Sequence, residues 1–119
     1  MYASADGLGL FKSTDSGTTW AAMNTGLGIM PGERFSVTAI AIDPTRPQVI
    51  FVTTGVWIGT SQVEFFPIAV MRSLDSGATW QVYQKSTNVH PITQLVTQGD
   101  RLYALAGNQV LIYQIRKVD

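Results

Sequence analysis

The acidic side chains are the first place to look for chemistry in this 119-residue sequence. Asp15 and Asp75 stand in near-identical surroundings, KSTDSGTTW over 12–20 and RSLDSGATW over 72–80. A pair of facing carboxylates can hydrolyse a glycosidic bond, one as acid and the other as base or nucleophile. A dense shell of oxygens can hold Ca²⁺. A solitary Asp in a turn meets neither requirement, so a structural role is the preferred reading for Asp15 and Asp75. Asp6, Glu33 and Glu64 are the remaining acids whose positions bear on catalysis, and no catalytic residue is assigned among them. His90, the only histidine, stands before Pro91 and reads as a solvated loop residue rather than a base. With no Cys and one His, no thiolate or His-cluster metal site can be built. No metal and no cofactor are expected. Gly7-Leu8-Gly9 and Gly26-Leu27-Gly28 lie between apolar runs and not ahead of a helix, so they read as turns and not phosphate loops.

Composition narrows the field further. Eight Lys and Arg balance eight Asp and Glu, and no basic run occurs. A surface that tracks nucleic-acid phosphates needs a clustered positive patch, so no nucleic-acid partner is expected. No apolar run approaches the roughly 18–20 residues of a membrane span, so no membrane insertion is expected. The N-terminus lacks the charged head and apolar stretch of a signal peptide. Hydrophobic residues make up 45% of the chain, enough for a core and too many for disorder.

The elements that position the two Asp residues can be read from the repeat. Ser13/Ser73, Asp15/Asp75, Gly17/Gly77, Thr19/Thr79 and Trp20/Trp80 align without a gap at an offset of 60. Asp-Ser-Gly between alternating apolar runs is a hairpin turn signal. The carboxylate can accept backbone N–H groups inside the turn, Gly supplies a positive φ, and the Ser and Thr hydroxyls can tie the flanks. Trp then opens the outgoing strand as an apolar plate. Apolar runs bounded by turn residues predict strands at about 1–5, 9–14, 19–23, 36–43, 49–54, 68–74, 79–84, 92–97, 101–106 and 109–115.

S-x-D-S-G-x-T-W resembles the Asp box, or bacterial neuraminidase (BNR) repeat, of sialidases, sortilin-type receptors, xyloglucan-cleaving glycoside hydrolases and a photosystem assembly propeller. VTAIAIDPTRPQVIFVTT over 37–54 is similar to the strand–turn–strand hairpin of that family, and the likeness runs from Tyr2 to about Tyr83. The resemblance implies an all-β partial β-propeller of about three blades, 3+4+3 antiparallel strands in one domain over 1–119. The blades would span approximately 1–24, 36–85 and 92–116. Propellers close with about four to eight blades, so ten strands cannot close one ring. Either a longer parent supplies further blades or several chains share a ring. The resemblance also implies an extracellular or periplasmic parent.

In such blades the Asp boxes and Asp43–Pro47 share one face, opposite the substrate site of the resembled enzymes. The other face carries two long connections, 24–35 and 55–67. Trp57, Phe65 and Phe66 could stack on a sugar or seat a partner's side chain, with Glu64, Glu33 and Arg34 as polar contacts. The competing reading folds these aromatics back as a small core under their own loop. Lys12 and Arg72 are read as strand-packing or exposed residues, and no sialidase arginine clamp can be matched. The function expected is a non-catalytic scaffold that presents loops to a protein or carbohydrate ligand. The alternative is a fragment of a secreted glycoside hydrolase, xyloglucanase- or sialidase-like, whose catalytic groups lie on other blades.

Overall fold

The structure, a computed structural model, describes residues 1–5, 9–27, 34–59, 62, 64–85 and 92–115. Among them are ten strands and no helix: β1 (Tyr2–Ala5), β2 (Gly9–Lys12), β3 (Ala21–Ala22), β4 (Arg34–Ile42), β5 (Ile50–Ile58), β6 (Glu64–Ser73), β7 (Gln81–Lys85), β8 (Ile92–Gln98), β9 (Arg101–Ala106) and β10 (Gln109–Gln114). They form three antiparallel sheets in which every strand pairs with its neighbour in the chain. Sheet I is β1-β2-β3, sheet II is β4-β5-β6-β7, and sheet III is β8-β9-β10. Short turns suffice to join antiparallel neighbours, which is why turn chemistry punctuates this sequence so regularly.

The sheets stack face to face, with sheet II in the middle. Leu10 of sheet I shares one buried cluster with Val37, Ile50, Val52 and Met71 of sheet II and with Trp80, just ahead of β7. The opposite face of sheet II sets Ala41, Phe51 and Val70 against Leu95, Leu102 and Ala104 of sheet III. Burial on both faces explains why Ile50 to Gly55 is buried without alternation. In β9 only Leu102, Ala104 and Ala106 are buried, the period-2 pattern of a sheet covered on one side. The sheets approach one another along β1, β4 and β8. A groove of about 380 Å³, lined by Val82, Tyr83 and Ile112 among others, lies between β7 and β10.

The structure differs from the sequence expectation at several elements. The connection read as a loop over 55–67 is mostly strand: Gly55 pairs with Pro67, Val56 with Phe66, Trp57 with Phe65 and Ile58 with Glu64. The register shifts between Thr54 and Gly55, and this bulge carries the ladder past residues that look like turn residues. Pro67 is tolerated because, among the described residues, β7 pairs only with Ala69–Arg72, so none of them needs the missing N–H on that side. Gly55 leaves room for Phe65, whose ring would lie 2.0 Å from an added Cβ. Likewise Arg34 and Phe35, read as the end of a loop, belong to β4 and pair with Trp57 and Val56. The strand expected over 19–23 shortens to Ala21–Ala22, and Trp20 and Trp80 precede their strands rather than opening them.

Candidate functional site

The two Asp-Ser-Gly corners have the same internal geometry. In the first, Asp15 Oδ1 accepts the Thr19 backbone N–H at 2.9 Å, and Asp15 Oδ2 accepts the Thr19 hydroxyl at 2.5 Å. In the second, Thr79 gives Asp75 the same two bonds at 2.9 and 2.6 Å. Ser13 and Ser73 are the hubs. Each hydroxyl donates to its Asp at 2.8 Å and accepts the Gly17 or Gly77 N–H at 2.8 Å. Ser16 and Gly17 both have positive φ, 60° and 90°, as do Ser76 and Gly77 at 61° and 89°. Tight hairpin turns favour positive φ at both central positions, because that twist matches the flanking strands. The motif signals this conformation at its glycines, and the structure extends it to Ser16 and Ser76.

These bonds fix the electrostatics. The Thr19 hydroxyl, the Thr19 N–H and the Ser13 hydroxyl lower the Asp15 pKa from 3.8 to about 2, and the Thr79 and Ser73 groups do the same for Asp75. A group depressed on folding stabilises the fold above its unfolded pKa. That contribution is lost as pH falls through its folded pKa. Unfolding free energy is therefore expected to decline as pH falls from about 4 to about 2, and urea melts across this range will check it. Asp43, at the same end of sheet II, is buried. Burial alone would raise its pKa, but bonds from Thr45 and Arg46 and the Arg46 ion pair at 3.2 Å outweigh it and leave it lowered. The carboxylates at this end are thus engaged within their own turns.

The opposite end, roughly 30 Å away along β6 at about 3.3 Å per residue, holds the aromatic residues. Trp57 and Phe65 meet edge to face with centroids 5.0 Å apart. The Trp57 Nε1–H donates to Ser36 Oγ at 3.2 Å, and the Arg34 guanidinium lies 5.9 Å from the Trp57 ring centre. Trp57, Ser36, Val37 and Thr38 of sheet II and Ser4 of sheet I line a cavity of about 360 Å³. An aromatic plate beside several hydroxyls suits a ring that is apolar on its face and polar at its rim. Ser4, Ser36 and Thr38 were not singled out from sequence. They come together only when two sheets stack, and no local pattern signals that.

The other expected residues scatter. Phe66 is exposed on the face of the hairpin opposite Trp57 and Phe65, and Glu64 is exposed at its tip. Asp6, Glu33 and His90 lie outside the described residues. Lys12 Nζ sits 5.5 Å from the Tyr2 ring centre and 3.5 Å from the Ser76 carbonyl oxygen, and Arg72 lies 4.9 Å from the Tyr83 ring centre. Among the described residues no three His, Cys, Asp or Glu side chains gather as metal ligands. No helix among them is long and apolar enough to cross a membrane.

Fold and geometry define, over the described residues, an all-β architecture of three antiparallel sheets of three, four and three strands. No family model matches it, and no curated protein or solved structure does either.

Proposed function

We propose that this chain is part of an Asp-box β-propeller and serves as a non-catalytic binding scaffold. Each sheet would be a blade and each Asp-Ser-Gly corner an Asp box. The observation that carries this reading is the division of labour between the two ends of sheet II. At one end Asp75 is committed to its own turn, as Asp15 is in the matching corner of sheet I. At the other, the extended β5–β6 hairpin lifts Trp57 to the mouth of a cavity with three hydroxyl-bearing side chains. Face-to-face stacking that is closest along β1, β4 and β8 supports the propeller reading. A carbohydrate ring is the ligand this cavity suits best, stacked on Trp57 and bonded at its edge by Ser4 and Thr38.

A glycan array on the wild-type chain and on Trp57→Ala tests the proposal. Removing a stacking platform is expected to weaken binding about tenfold or more, roughly 1.4 kcal/mol. Binding to no glycan contradicts the proposal. So does binding that survives Trp57→Ala but is lost when the Asp43–Pro47 turn is altered, since that places the ligand at the other end.

A further inference from the structure

The internal repeat shows what covers each face of a sheet. Met71 and Trp80 lie on the face of sheet II that sheet I covers, and Trp80 is only 4% exposed. Its indole N–H reaches the Met23 carbonyl at 2.8 Å, and its backbone N–H reaches Thr25 O at 3.0 Å. The residues sixty positions earlier are Phe11 and Trp20. Leu10, Lys12 and Tyr2 point toward sheet II, so Phe11 points away from it by strand alternation. Trp20 is 42% exposed, and its indole N–H bonds only within its own turn, to Gly17 O at 3.1 Å. Among the described residues, sheet I thus carries uncovered the face that sheet II buries.

Sheet III carries the complementary face, open among the described residues. Leu102, Ala104 and Ala106 point into sheet II. Tyr103 and Leu105 therefore point outward, beside their ladder partners Val96, Val110 and Ile112. Val110 is 64% exposed and Ile112 59%. An apolar stripe of this kind on a sheet face is a docking surface. Within the chain, sheets I to II and II to III are joined in one sense, each covering the next.

We infer that the open face of sheet III docks on the open face of sheet I of a second copy, so that two chains close one ring. The contact continues the interface already made twice within the chain. It is head to tail, and two such contacts use up both open faces. Three sheets from each copy give a stack within the roughly four to eight at which radial sheets close. The inference rests on the stacked-sheet part of the proposed function and not on a ligand. Trp57 lies away from both open faces, so the glycan assay succeeds or fails independently.

Light scattering on the purified chain over a range of concentrations is the test. The expected particle has twice the 13.0 kDa mass of one chain. Acrylamide quenching of tryptophan fluorescence should fall as the copies associate and Trp20 becomes covered. Val110→Lys with Ile112→Lys, or Trp20→Arg alone, should each yield monomers with unchanged far-UV circular dichroism. Mixing the two variants should restore a two-chain particle through the one intact interface. A single chain at every concentration overturns the inference, and leaves a further sheet of a longer polypeptide as the occupant. Two-chain particles indifferent to the Val110 and Ile112 changes overturn it as well, as does a mixture that stays monomeric.

Discussion

Ser73→Ala is expected to lower the unfolding free energy by about 1–3 kcal/mol, although it removes a single oxygen atom. Ser73 is fully buried, and its hydroxyl makes three contacts at once. It accepts the Gly77 N–H at 2.8 Å and the Asp75 N–H at 3.3 Å, and it donates to Asp75 Oδ1 at 2.8 Å. Alanine leaves the buried Gly77 N–H without a partner, and water cannot enter to replace the hydroxyl. Urea denaturation measures the change. A loss of only a few tenths of a kcal/mol would show that the turn is held by Asp75 alone.

Gly26→Ala is expected to be costlier, by about 2–5 kcal/mol. Gly26 has φ near +89°, which an L side chain rarely adopts. An added Cβ would also stand 2.5 Å from the Trp80 carbonyl oxygen and 3.2 Å from its nitrogen. Both atoms are backbone, so no rotamer change relieves the contact, and overpacking adds to the conformational cost. The melting temperature should drop by more than about 10 °C. Hydrogen exchange should localise the damage: amides of β1 and β2 lose protection first, while those of β8 and β9 keep theirs. Equal loss across all three sheets would mean that the 23–27 segment does not dock sheet I on sheet II.

The two predictions draw on different parts of the sequence. The Asp-Ser-Gly corners were legible because turn chemistry is local: Ser13, Asp15, Gly17 and Thr19 lie within seven residues and bond one another. Most strands were legible from alternation and turn punctuation. The β5–β6 extension was not, because Gly55 and Pro67 carry the signature of a loop and only the ladder reveals the bulge that admits them. The left-handed conformation of Ser16 and Ser76 could have been found, since a tight hairpin asks for positive φ at both central residues. The differing burial of Trp20 and Trp80 could not, because a second sheet decides it and the nine-residue motifs are nearly the same. The cavity at Trp57 was half legible. The aromatic residue stood out, but the hydroxyls around it come from β1 and β4, far apart in sequence.

The most direct test of the claim that the repeated Asp residues serve the fold is a carboxyl carbon NMR titration of the intact chain. Asp15 and Asp75 should titrate together at a pKa of about 2, because each carboxylate is held by a threonine hydroxyl, a threonine amide and a serine hydroxyl. Values near the ordinary 3.8 for both would show that those bonds are not formed in solution, and would return the two carboxylates to the list of candidates for chemistry.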